Sequence, residues 1–241
     1  ADPHPCRSVI AQAVYFDYRI PSDFSHMIDP ALYAGRRARL AALMEDGVAV
    51  VRTAPERLRN RDSSFPFRFD SYFHYLTGFP EPGAVLVLFG AKNPKSILFC
   101  RERDVEREIW DGFRFGPEKA QQAFGFDETH PIGRLDEQLP RLLTNQSAVF
   151  CDVGTDPHWD RQVIGWISTV RAQVRTGVSA PGEIHDVRRF LDDMRLIKDE
   201  QEVGTMRRAA VISSEAHRRA MRTARPGLRE YELEAELIHE F

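Results

Sequence analysis

The sequence predicts an α/β fold in which helices flank a mixed β-sheet. Two runs, Ala84–Phe89 and Ser96–Cys100, are almost entirely apolar, which is typical of strands covered on both faces. The turn-forming segment Gly90–Pro94 lies between them and predicts a hairpin. Segments with helical periodicity stand before and after this pair, and such mixing is typical of layered α/β domains.

The remaining elements follow from local signals. Asp29 and Pro30 are a capping residue and a first-turn proline, so they predict a helix start. Short strands are predicted at Val48–Val51 and Ala148–Asp152 because both segments are β-branched or apolar. Further helices are predicted at Pro117–Phe124, Leu135–Leu143 and His158–Arg175.

Changes in composition divide the chain into four parts. Residues 1–28 are interpreted as a leader or expression remnant with Met27 as a candidate native start, and residues 29–176 as the α/β domain. Periodicity is lost over a linker at 177–184. Residues 185–241 are predicted to be entirely helical, with a capping box at Asp199 and Glu202. The last helix has an apolar face and no stop signal before Phe241, so we expect a missing remainder to cover it.

Composition argues against several classes of partner. The net charge is −3 and arginines are interleaved with acids, which does not favour a nucleic-acid partner. No apolar run approaches the roughly 18 residues that a membrane span requires. Cys6, Cys100 and Cys151 are odd in number and far apart, which predicts a reduced cytoplasmic protein with the last two in the core.

Familiar catalytic motifs are absent from the sequence. It contains no Gly-x-Ser-x-Gly elbow, no glycine-rich phosphate loop and no Cys-x-x-Cys pair. His239 and Glu240 resemble the start of a zinc-protease helix, but no second histidine follows before the chain ends. Asp156, His158 and Asp160 alternate at a predicted helix start, where capping is favoured over metal binding.

One segment, Arg59–Phe79, is unusually rich in charged and aromatic residues. It suits a ligand-facing loop and equally suits a loop packed by its own aromatic side chains, and the residues alone do not separate the two. His74 within it, and His130 further on, are interpreted as structural histidines.

Several runs, in one order, resemble a known family. RNRDSSFPFRFDSYFHYLTGFPEPGAVLVL, starting at Arg59, and RERDVEREIWDGFRFG, starting at Arg101, resemble the N-terminal domain of aminopeptidase P. MRLIKDEQEVGTMRRAA, starting at Met194, and ARPGLREYELEAELIHEF resemble the opening helices of that family's catalytic domain. The resemblance extends over roughly Tyr33 to Phe241.

The resemblance implies two domains and a chemistry. The first is a ribonuclease-H-like mixed sheet flanked by helices, and the second is a pita-bread fold with two divalent metals, usually manganese. The metals activate a hydroxide that attacks the bond before proline. Their five ligands would lie beyond the position matching Phe241, so the resemblance implies no metal, no catalytic residue and no other cofactor within this chain.

The resemblance also implies roles for particular residues. In the family this domain supports oligomerisation and lends residues to the rim of a neighbouring active site. The matching positions are Asp62, which could hold a substrate α-amine, and Trp110, which could wall a side-chain pocket. Arg68 and Arg114 are weaker candidates for salt links that position this rim. A core tryptophan and a loop-capping aspartate are the alternative interpretations.

The leading hypothesis is therefore the N-terminal part of a metal-dependent Xaa-Pro aminopeptidase. Its substrates would be peptides with proline at the second position, and it would form a homo-oligomer that contacts neither nucleic acid nor membrane. One alternative is a non-catalytic peptide-binding or assembly module. Another is a prolidase or creatinase relative, although the Arg59–Phe79 run favours aminopeptidase P.

Overall fold

The structure, a computed structural model, describes residues 29–241. The predicted leader, with Met27 and Cys6, lies outside the described residues. The helices are α1 (Pro30–Met44), α2 (Ser71–Thr77), α3 (Val105–Asp111), α4 (Gly116–Phe124), α5 (Leu135–Leu143), α6 (Pro157–Arg171), α7 (Arg188–Leu196), α8 (Glu200–Thr223) and α9 (Glu230–Glu240). The strands are β1 (Val48–Arg52), β2 (Val85–Phe89), β3 (Ser96–Cys100), β4 (Glu128–Pro131), β5 (Ala148–Cys151) and β6 (Glu183–Asp186).

The strands form one mixed sheet in the order β4-β3-β2-β1-β5-β6. Strands β1, β2 and β3 are antiparallel neighbours, whereas β4 pairs in parallel with β3, and β5 in parallel with both β1 and β6. The β2–β3 hairpin and the mixed α/β class are thus confirmed.

Helices cover both faces of this sheet, as the apolar runs predict. On one face the α5 side chains Leu139 and Leu143 and the α6 side chains Val163 and Ile167 pack on alternate residues of the central strands. On the other face α1, α2 and α4 contact strands of the sheet, and α1 contacts both α2 and α4. All five residues of β2 and of β3 are buried in consequence.

A buried arginine joins the helices of the second face. Arg37, 3% exposed, donates from Nη1 to the Leu76 carbonyl at 3.2 Å and from Nη2 to the Gly125 carbonyl at 2.5 Å. Its guanidinium also lies 4.6 Å from the centre of the Phe126 ring. Burial lowers the pKa of Arg37 to about 10, and Asp127 acts in the opposite direction. The side chain connects α1 to the ends of α2 and α4.

Four elements are not apparent in the sequence. Helices α2 and α3 have seven residues each, too few to establish a period. Strand β4 is half-buried and β6 is fully exposed, so neither shows an apolar run. The prediction that only helices follow the linker is wrong at β6, whose first two residues lie within 177–184 and pair with β5.

The chain divides into two compact units, one ending at Leu191 and one comprising Asp192–Phe241. In the second unit α8 packs on α9, and Arg219 Nε donates to Glu236 Oε2 at 2.5 Å. The predicted capping box is confirmed: Asp199 Oδ1 accepts from the Glu202 amide at 2.8 Å, and Glu202 Oε2 accepts from the Asp199 amide at 2.9 Å. Within residues 29–241, no helix has the length and apolarity to cross a membrane.

Candidate functional site

Asp62 lies near the tip of a small exposed hairpin, residues 56–65. A bridge between Leu58 and Ser64 closes it, and the Phe65 amide donates to the Arg57 carbonyl at 2.8 Å. The Asn60 side chain braces the turn, because its Oδ1 accepts from the amides of Asp62 and Ser63 at 2.9 and 2.8 Å. The capping residue is therefore Asn60, and the exposed Asp62 carboxylate extends from an ordered turn.

Trp110 lies on α3, where it is 87% exposed. Its neighbour Ile109 is 77% exposed and Val105 is 64% exposed, so α3 presents an apolar surface. The interpretation of Trp110 as a core residue is wrong. An exposed indole beside two exposed aliphatic side chains is a typical contact surface for a ligand or a protein partner.

A buried carboxylate lies at the base of α3. Glu81 is 2% exposed, and its Oε1 accepts from the Phe115 amide at 2.6 Å. Its Oε2 lies 3.7 Å from Arg101 Nη2. Burial raises the pKa of Glu81, while the Phe115 amide, Arg101 and the 7% exposed Arg114 act in the opposite direction. Removing one partner of such a buried charge pair is strongly destabilising, because it leaves the other charge uncompensated.

The two arginines named as rim candidates differ in their surroundings. Arg68 is exposed in the segment that leads from the hairpin to α2. Arg114 is buried just after α3, and its amide donates to Glu108 Oε1 at 3.1 Å. A hydrogen bond from Arg103 holds the pKa of Glu108 below its usual range. Arg114 is thus part of the support of α3, and its burial makes direct ligand contact unfavourable.

Of the histidines singled out in the sequence, His74 packs against an aromatic ring and His130 lies beside a carboxylate. The His74 ring stacks on Phe69 with centroids 3.9 Å apart. Burial, with a smaller effect of Arg36, lowers the pKa of His74 to about 4. His130 Nε2 lies 3.4 Å from Glu128 Oε2 at the sheet edge. His239 is near the end of α9.

Asp156 caps α6, and Asp160 lies in the first turn of that helix. Asp156 accepts from the His158 amide at 2.8 Å and from Arg52 Nη1 at 2.8 Å. Asp160 Oδ1 accepts from the Gly154 amide at 3.1 Å. The capping interpretation is confirmed for Asp156, while Asp160 binds an amide of the loop that precedes the helix.

The described residues do not fit the metal pair that the resemblance implies. Over residues 29–241, no group of three or more His, Cys, Asp or Glu side chains is arranged to hold a metal ion. Cys100 and Cys151 are free and buried, and burial raises the pKa of each thiol to about 12.

Comparison with known proteins identifies the region. A family model for the aminopeptidase P N-terminal domain matches residues 33–150. The Xaa-Pro aminopeptidase of Escherichia coli strain K12 is 39% identical over 209 residues, which is 86% of this chain and 47% of that protein. This chain contains an aminopeptidase P N-terminal region.

Solved structures agree with this assignment to aminopeptidase P. Aminopeptidase PepP of Pseudomonas aeruginosa matches with a TM-score of 0.84 and 45% identity, covering 88% of this chain and 49% of that one. Zinc-substituted E. coli aminopeptidase P in complex with product matches with a TM-score of 0.84 and 38% identity, covering 89% and 49%. The chain spans about half the length of the relatives that it matches.

Sequence reasoning missed two residues of the aminopeptidase P region, Glu81 and Arg101. Both lie inside the recognised runs, Glu81 in FPEPG and Arg101 at the start of RERD. The available signal was a glutamate between two prolines directly before a buried strand, where a charged side chain needs partners. Their partners come from other segments, which a linear reading does not reveal.

Proposed function

We propose that this chain is the N-terminal part of a metal-dependent Xaa-Pro aminopeptidase, which hydrolyses the bond between an N-terminal residue and a following proline. The match to the E. coli Xaa-Pro aminopeptidase over 86% of this chain carries the proposal. The substrates are then peptides with proline in the second position. Manganese is the proposed metal, and it acts in a protein longer than this chain.

The chain itself contributes to substrate binding and assembly under this proposal. The Asp62 carboxylate pairs with the substrate α-ammonium, and the Trp110 indole forms one wall of a side-chain pocket. Support comes from the exposure of both side chains and from the turn that holds Asp62. Arg68 adds an exposed cation, while Arg114 acts through the position of α3.

We propose that the rim residues serve a neighbouring subunit of a homo-oligomer. The apolar surface of Val105, Ile109 and Trp110 supports this, since burying it against a second copy removes it from water. The lack of a metal-ligand cluster over residues 29–241 supports a further point, that this chain alone is inactive.

The domain assignment and location are also proposals. Residues 29–176 are assigned to the N-terminal domain and 185–241 to the opening helices of the pita-bread domain. A cytoplasmic location fits the free, buried Cys100 and Cys151, because reduced thiols persist in that compartment. Limited proteolysis tests the boundary, and a first cut after Leu191, where the first compact unit ends, would contradict the 177–184 linker.

The test compares the 241-residue chain with a longer form of the same protein. Each is incubated with manganese and a peptide that has proline second, or alanine second as the control, and release of the first residue is measured. We expect proline-dependent, chelator-sensitive release by the longer form only. Release by the short chain would overturn its proposed inactivity. A metal-loaded longer form that binds the peptide without cleaving it would instead establish a binding module.

A further inference from the structure

Arg101 lies between the two segments that carry Asp62 and Trp110. Its Nη1 lies 3.8 Å from Glu56 Oε1 at the start of the exposed hairpin. Its Nη2 lies 3.7 Å from Glu81 Oε2 below α3. The Arg101 side chain is 20% exposed and the Glu81 side chain 2%, so the second pair is screened weakly by solvent.

Glu81 extends the connection to the far end of α3. Its other oxygen accepts from the Phe115 amide at 2.6 Å, directly after the helix. The residues before and after α3 are thereby tied to one carboxylate: Arg101 through its guanidinium and Phe115 through its amide. A bond from a main-chain amide to a buried carboxylate is short and strong, and it restricts the backbone that carries the helix.

A second carboxylate, that of Glu108, binds residues before and after α3. Glu108, on α3, accepts from the Arg114 amide at 3.1 Å and from Arg103 Nε at 3.2 Å. This bond fixes the chain just after the helix but does not reach the exposed hairpin. The pair of Glu81 and Arg101, in contrast, contacts both segments.

We propose that Glu81 and Arg101 are positioning residues that hold the exposed hairpin and helix α3 in a fixed arrangement. Asp62 and Trp110 thereby keep a constant separation at the substrate-pocket rim. This inference rests on the proposed function for its purpose, but its geometry involves only residues of this chain.

Hydrogen exchange of the 241-residue chain, followed by mass spectrometry, tests the inference. Glu81→Gln preserves the shape and an oxygen acceptor for the Phe115 amide while removing the charge that faces Arg101. We expect exchange in residues 56–65 and 105–115 to accelerate together by about tenfold, because the change removes the charge that faces the Arg101 guanidinium at a site shielded from solvent. Strand β2 should exchange at its original rate.

Arg101→Gln should give the same pattern, and the double variant should show no larger change than either single one. Such non-additivity indicates that the two side chains act as a pair, and independent packing roles would produce additive effects. Glu118→Gln, an exposed change of the same charge on α4, is the matched control and should alter neither segment.

The outcomes are distinct. Acceleration in only one segment, or additive effects, would overturn the pairing. If Glu81→Gln unfolds the chain, so that β2 also exchanges rapidly, Arg101→Gln alone tests the inference. Acceleration in both segments then supports it, and acceleration in only one overturns it. Peptidase kinetics of the longer protein separate this inference from the proposed function. There Glu81→Gln should raise KM more than it lowers kcat, whereas loosened segments with unchanged KM would refute the pocket role and leave the positioning role intact.

Discussion

The buried ring of His74 makes the stability of the first unit depend on pH. Its pKa is lowered from 6.5 to about 4, first by burial and second by Arg36, so the folded state resists protonation. Between these values the unfolded chain binds more protons. The free energy of unfolding therefore keeps its full value above pH 6.5 and decreases as the pH falls toward 4. At pH 5 the loss amounts to at most about 2 kcal/mol.

Urea unfolding at pH 7 and pH 5 measures this effect. Tryptophan fluorescence reports on the first unit, which contains all three tryptophans. His74→Phe keeps an aromatic ring against Phe69 and cannot titrate, so carboxylate effects common to both proteins cancel in the comparison. We expect wild type to lose about 2 kcal/mol more than the variant between the two pH values. Parallel losses in the two proteins would refute the proposed cause.

Three other substitutions probe the fold and the metal interpretation of Asp156. Arg37→Met should destabilise the first unit by roughly 3 kcal/mol or more in urea, because buried carbonyls lose a charged donor. Gly78→Ala should cost about 2 kcal/mol by the same assay, since its φ is +65° and a Cβ would lie 2.5 Å from the Tyr33 ring. Asp156→Ala should lower the melting temperature by removing a helix cap and a partner of Arg52. In the longer protein it should leave manganese binding, followed by electron paramagnetic resonance, unchanged, and weakened binding would restore the metal interpretation of Asp156.

The central strands could be predicted because burial on both faces leaves a continuous apolar signal. Val85–Phe89 shows it clearly, whereas β6 is held by main-chain pairing to β5 and its four residues are all exposed. No side-chain pattern can reveal such a strand. Helix caps such as Asp29 and Asp199 could be predicted because the amides that they bind lie within three residues in the sequence.

The candidate site was only partly predictable. The recognised runs pointed to Asp62 and Trp110. The exposure of Asp62 is expected of an aspartate, whereas that of Trp110 is not, because tryptophan is highly buried on average. The roles of Glu81 and Arg101 depend on contacts between segments 20 or more positions apart. Those contacts arise only when β2 and β3 bring the segments together.

We propose above that this aminopeptidase P region lends an exposed rim to an Xaa-Pro peptidase site. The most direct measurement is steady-state cleavage of a peptide with proline second by the longer protein, comparing wild type, Trp110→Ala and the exposed control Glu106→Gln on the same helix. We predict that Trp110→Ala raises KM about tenfold with kcat and melting temperature nearly unchanged, as expected when substrate binding alone is weakened. A KM equal to that of wild type and of Glu106→Gln would contradict the account.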